Sequence, residues 1–101
     1  MRTQADLQSF LEKLLNSENV YYRAPAGVKM KYPAIKYDRS AFDTNYANNK
    51  AYKQKTAYTL TVIDKNPDNP VIFKLSEMPL CRFDRHYIAD GLNHDVFTLY
   101  F

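Results

Sequence analysis

The residues best equipped for chemistry are gathered in one stretch near the end of the chain, Cys81 to Phe101 (CRFDRHYIADGLNHDVFTLYF). His86, His94 and Asp84 could meet there across two strands. Imidazoles bind zinc or exchange protons near neutral pH, and a carboxylate would add a further donor. A competent zinc site needs a third or fourth convergent ligand and a pocket, and the sequence shows neither. A solvated polar face is therefore expected, with no metal and no cofactor. Arg85 and Asp95 form a second candidate pair; on an otherwise apolar face they read as a partly buried structural ion pair that fixes strand register. A third set, Arg82, Arg85, His86 and Tyr87, is what a small metal-independent ribonuclease would use to stabilise phosphate charge and move protons. Small bacterial toxins of that type usually open with a strand and a helical pair, whereas here a helix comes first. The chain has only Gly27 and Gly91, so it has no phosphate-cradling loop, and it carries no nucleophile elbow and no metalloprotease or deaminase spacing. An enzyme is not expected.

A β-hairpin must hold these side chains. Two runs rich in Phe, Tyr, Val and Ile flank Ala89-Asp90-Gly91, where Asp and Gly suit a turn. A two-residue Asp90-Gly91 turn would pair Ala89 with Leu92 and split the apolar set between faces. A three-residue loop sets Ile88 against Leu92, Phe83 against Phe97 and Cys81 against Leu99, and so keeps Cys81, Phe83, Tyr87, Phe97, Leu99 and Phe101 on one face. This second register is expected. It places Arg85 opposite Asp95, and His86 opposite His94 on the other face.

The remainder of the chain supplies the layer behind the hairpin. Thr3 and Asp6 have capping-box spacing, and Leu7, Phe10, Leu11, Leu14 and Leu15 follow at helical intervals. The width of this stripe points to core packing in preference to an interaction helix. Val20-Tyr21-Tyr22 is a short extended piece before Ala24-Pro25-Ala26-Gly27. Tyr32 to Tyr37 reads as a strand whose Pro33 confines it to an edge or a strand start. Ala57 to Ile63 is a central strand, and Asn69 caps a short helix with Pro70 at its first position and Val71, Ile72, Leu75 and Met78 on one face. The expected fold is α+β: a mainly antiparallel four-stranded sheet with an N-terminal amphipathic helix and a short second helix packed on one face, in the order α-β-β-α-β-β.

At 101 residues the chain makes one domain, 1–101, with enough length for a core that needs no staples. Cys81 is the only cysteine, and on the core face it reads as a buried reduced thiol. Asp6 and Glu12 interrupt any secretory signal, and no segment approaches the roughly 20 apolar residues of a membrane span, so a soluble protein made in a cytoplasm is expected. The last strand, ending on Phe101, is expected to be docked in the sheet.

Charge is unevenly spread. From Arg23 to Lys55 eight Lys or Arg stand against Asp38 and Asp43, a surplus of six in a chain of net charge +3, so the rest carries a deficit of three. Such a segment could meet nucleic acid, but without a base-reading motif the acidic part of another copy is the expected partner. Within it, residues 39–55 (RSAFDTNYANNKAYKQK) follow neither helical nor strand period and read as a long basic loop or protruding hairpin. Arg39, Tyr46, Lys50, Tyr52, Lys53 and Lys55 are the candidate subunit or partner interface.

Taken together, the opening helix, the YPAIKY strand, the TLTVIDKNPDNP stretch and the final CRFDRHYIADGLNHDVFTLYF resemble small proteins of tailed-phage and prophage head-to-tail gene clusters, nearest to the tail-terminator or tail-completion family. The resemblance covers most of the chain, and its last twenty-one residues are the distinctive part. It implies a virion protein without catalysis, made in the host bacterial cytoplasm, that forms a ring, commonly a hexamer, at the head-proximal end of the tail tube. The implied partners are other copies of the chain, the tail-tube protein and a head connector or head-closure protein, with non-specific contact to DNA in a channel and no membrane. A second helix shorter than in many members leaves open a neighbouring head-closure or adaptor role. A nucleic-acid-binding module, or the small ribonuclease using Arg82, Arg85 and His86, is the alternative function.

Overall fold

Thr3 begins the first helix, α1 (Gln4–Leu15), through both halves of the expected capping box: its side chain accepts from the Asp6 amide, and the Asp6 carboxylate accepts from the Thr3 amide at 2.8 Å. Asn16, at φ 56, closes it in the left-handed region. The computed structural model describes residues 3–25, 29–47 and 50–101, and of residues 41–47 and 50–55 the backbone alone. After α1 come β1 (Val20–Tyr22), β2 (Ala34–Ala47), β3 (Lys50–Asp64), α2 (Pro70–Ser76), β4 (Cys81–Ala89) and β5 (Leu92–Tyr100). Asn69 caps α2 as expected, accepting from the Val71 amide at 2.9 Å, while its side-chain amide donates to Asp64 at 2.7 Å.

The strands build one five-stranded sheet in the order β1-β2-β3-β5-β4. β1 runs parallel to β2, with Val20 opposite Ile35 and Tyr22 opposite Tyr37, and every other pair is antiparallel. The expected four-stranded antiparallel sheet is thus corrected to a mixed five-stranded one, and the order α-β-β-α-β-β to α-β-β-β-α-β-β. Three residues are too few to display a period of two, so Val20-Tyr21-Tyr22 acquires strand character from its neighbour. The Ile35 amide donates to Asn19 and the Arg23 amide to Tyr37, each at 3.0 Å, which prolongs the ladder at both ends.

Strand alternation divides the sheet into two unlike faces. Ile35 and Tyr37, Tyr58, Leu60 and Val62, and Phe97 and Leu99 share one core cluster with Leu7 and Leu11 of α1 and Val71 and Leu75 of α2. Both helices therefore cover the same face. The Tyr37 hydroxyl, carried into this layer, accepts from Gln4 at 2.6 Å and donates to Gln8, whose amide donates in turn to the Val20 carbonyl at 3.0 Å. Without these partners, enclosing a phenol would be costly.

The β4–β5 hairpin corrects the expected register near its turn. Asp90 and Gly91 form a two-residue connection at φ 53 and 73, and Ala89 pairs with Leu92. Two successive positive φ values match the right-handed twist of the flanking strands, and Asp-Gly is well suited to them. A register shift between Phe83 and Arg85 then inserts Asp84 as a bulge. Beyond it Phe83 faces Phe97 and Cys81 faces Leu99, as expected from the apolar pattern. Turn chemistry governs one end of the hairpin and core burial the other; the bulge reconciles them.

Residues 39–55 have strand backbone on both sides of Asn48 and Asn49, which lie outside the described residues. Beyond Ala57, which pairs with Tyr100, β3 has left β5, and β1 accompanies β2 only from Ile35 to Tyr37. Among the described residues, Asp43–Ala47 and Lys50–Lys55 pair only with each other. They form a two-stranded ribbon running past the sheet, and the molecule measures 51 × 25 × 22 Å. Register shifts between Arg39 and Ala41 and between Asn45 and Tyr46 interrupt the alternation, which is why the segment shows no period.

Candidate functional site

The bulge at Asp84 distributes the chemical residues of the hairpin over both faces. Arg82 pairs with Thr98, Arg85 with Val96 and Tyr87 with His94, all on the face without helices; His86 pairs with Asp95 on the helix-covered face. The proposed His86–His94 pair is thereby separated by the sheet, and Arg85 faces Val96 instead of Asp95. The ribonuclease set is divided as well, since His86 lies on the opposite face from Arg82, Arg85 and Tyr87. Among the described residues no group of three His, Cys, Asp or Glu side chains is placed to hold a metal ion.

On the helix-covered face Asp95 is 6% exposed, and among the described residues its Oδ2 has no hydrogen-bond partner. Burial pushes its carboxyl above the usual range, against the opposing pull of His86 and His94. His86 donates from Nε2 to Asn93 Oδ1 at 3.0 Å, because the Asn93 amide is committed as a donor to the Asp64 and Lys65 carbonyls. This polar group spans the β3–α2 connection and the hairpin.

On the face without helices Asp84 binds Arg82 at 2.9 Å and accepts from the Thr98 hydroxyl. Burial alone would raise its carboxyl, but the hydrogen bonds from Thr98 and Arg82 and the charges of Arg82 and Arg85 hold it below the usual range. Tyr87 and His94 stack with ring centroids 4.7 Å apart and planes at 16°, and the Arg85 guanidinium lies 5.9 Å from the Tyr87 centroid. His94 donates from Nδ1 to the Leu92 carbonyl at 3.0 Å, which fixes its ring. Cys81 is partly buried, and burial, with the Asp84 charge, pushes its thiol up.

Of the candidate interface residues, Arg39 is exposed and lines a polar cleft of about 270 Å³ with Tyr22, Arg23 and Asp38. The side chains of Tyr46, Lys50, Tyr52, Lys53 and Lys55 lie outside the described residues; their backbone belongs to the ribbon, where Lys50 is opposite Ala47, Lys53 opposite Asn45 and Lys55 opposite Asp43. The sequence reading missed a second surface. Phe73 and Leu80 (each 55% exposed), Phe83 (47%) and Ile88 (68%) lie on or beside β4, the edge strand, next to α2. Alternation identifies the face of Phe83 without showing how far the helices reach across it. An apolar groove of about 580 Å³ also opens between Phe10, Met78, Leu80 and Phe101.

Comparisons with protein-family models, with curated proteins and with solved structures find no match for this chain.

Proposed function

We propose that this chain is a structural virion protein of a tailed phage or prophage, of the tail-terminator or tail-completion kind. It would close into a ring, a hexamer on the family pattern, at the head-proximal end of the tail tube. The observation that carries this reading is the ribbon: two strands that leave their own sheet and, among the described residues, have no third strand beside them. A ribbon with Lys50, Lys53 and Lys55 against Asp43 is suited to reaching another molecule, since a two-stranded ribbon has little stability of its own. Exposed Phe83 and Ile88 on the edge strand β4 support the same reading, because large apolar side chains open at an edge give a protein partner area to bury. In this assembly the ribbon meets the next copy of the chain or the tube, and the opposite surface receives the head connector or head-closure protein. Among the described residues no helix is long and apolar enough to cross a membrane.

The test is the mass in solution by light scattering, alone and with tail-tube protein, for the chain and for a variant with Lys50, Lys53 and Lys55 changed to Glu. The expected result is a ring, or a monomer that joins tube ends, which the variant loses while keeping its circular dichroism spectrum. Normal tails assembled with the variant would overturn the assignment of the ribbon.

A further inference from the structure

β4 closes one side of the sheet, and among the described residues no strand lies beyond it. Arg82 to Ile88 are all exposed. The direction of its backbone groups follows from its one partner. The Leu80 carbonyl accepts from the Tyr100 amide at 2.9 Å, so by strand alternation Arg82 turns its amide and carbonyl toward β5, while Cys81 and Phe83 turn theirs outward. The bulge at Asp84 shifts this alternation by one residue. Beyond it Arg85, Tyr87 and Ala89 turn inward, opposite Val96, His94 and Leu92, and His86 and Ile88 turn outward. Direction and face thus coincide along the whole strand. The residues with outward backbone groups, Cys81, Phe83, His86 and Ile88, have their side chains on the helix-covered face, and Arg82, Asp84, Arg85 and Tyr87 have theirs on the other.

We propose that β4 pairs with β4 of a second copy of this chain, antiparallel about a two-fold axis that passes between Asp84 and Arg85. The bulge selects this register. Of the antiparallel alignments that carry the pairing through the bulge of both strands, it alone sets outward backbone against outward backbone, and like face against like face, on either side of the interruption. Phe83 then stands opposite His86 of the second copy, Cys81 opposite Ile88, and Asp84 opposite Arg85, each pair occurring twice by symmetry. Charge favours the same register. Arg85 has no ion pair of its own among the described residues, and Asp84, which meets Arg82 through Oδ1 and Thr98 through Oδ2, keeps lone pairs for a second cation. A slip of one residue either way would set Arg85 against Arg85, or Asp84 against Asp84. On the helix-covered side exposed Phe83 and Ile88 would leave water. Other parts of the chain suit this edge less well. The ribbon would bring Lys50, Lys53 and Lys55 beside Arg82 and Arg85, and β1, at the far side of the sheet, offers three residues against nine. The contact is self-complementary, unlike the head-to-tail contacts that close a ring, and it does not depend on the ribbon.

The test is sedimentation equilibrium across a range of concentration, in the chain with Lys50, Lys53 and Lys55 changed to Glu, so that assembly through the ribbon does not enter. The expected result is a mean mass that rises from one chain toward two between about 1 and 100 µM, as a small interface gives. Asp84→Lys and Arg85→Glu are each expected to weaken association at least about tenfold, because each places like charges opposite one another twice. An equimolar mixture of the two variants is expected to recover it. The new lysine of one chain then meets the new glutamate of the other, and Arg85 of the first meets Asp84 of the second. Recovery also shows that both variants are folded. A chain that stays monomeric to about 100 µM would overturn the proposal, as would a dimer that both single variants retain, or folded variants that lose it and do not recover on mixing. Should either variant lose its circular dichroism spectrum, amide exchange of the chain with β4 unaltered decides: the outward amides of Phe83 and His86 are expected to slow about tenfold over the same range, and unchanged exchange there refutes the pairing.

Discussion

Asp95 is the least comfortable residue in the core. Its enclosed Oδ2 has no partner among the described residues, and burial raises its carboxyl. A carboxyl whose folded pKa is raised weighs against folding wherever it must ionise. Below the unfolded value near 3.8 both states are protonated and nothing is lost; as pH rises from there through the folded value, stability declines and stays lower. Asp95→Asn is expected to raise stability at pH 7 by about 1 kcal/mol, with the gain vanishing below pH about 3.8, as read from urea midpoints across pH. Asp84 behaves oppositely: its depressed carboxyl contributes stability above the unfolded value that is lost as pH falls. The sequence singled out the right residues here, yet paired them wrongly. Arg85 and Asp95 are ten apart and stand opposite each other only if the connection is a three-residue loop. The two-residue turn sets Arg85 opposite Val96, on the other face, and His86 opposite Asp95, and the Asp84 bulge restores the expected pairing only from Phe83 onward.

Among the elements, those that declare themselves by local chemistry were readable. Thr3 with Asp6, Asn69 with Pro70 and the leucines of α1 each specify a helix end or face without reference to distant residues. Elements that depend on a neighbour were not. β1 needs β2, and the two strand halves around Asn48 and Asn49 need each other while their alternation is disrupted by register shifts. The β4–β5 turn lies between these cases: Asp90-Gly91 advertised a two-residue turn, and the apolar pattern argued against it. At Gly91 φ is +73, and nothing lies within 4 Å of where a Cβ would sit. Gly91→Ala is therefore expected to cost about 1 kcal/mol through backbone strain alone, seen as a lower urea midpoint with an unchanged slope.

At the scale of the molecule, the layer arrangement followed from the sequence: one sheet with both helices against one face. What remained hidden was how far that cover extends. α2 is seven residues long, and it leaves Phe83 and Ile88 of the edge strand open. The bulge at Asp84, with Arg82 and Arg85 beside it, disrupts that edge as a template for indiscriminate strand pairing. Contacts made there would rest on side chains more than on a continued ladder.

β3 has one more consequence. From Ala57 to Asp64 it is flanked by β2 and β5, whereas among the described residues Lys50 to Lys55 have β2 alone beside them. A single strand thus passes through two regimes of solvent protection. Amide deuterium exchange is expected to be slow at Leu60 and Val62 and faster, by at least tenfold, at Lys53 and Lys55, with the boundary near Ala57. On assembly the slow zone would advance along the ribbon, so that the isotope pattern of one continuous strand records how much of it has been engaged by another molecule.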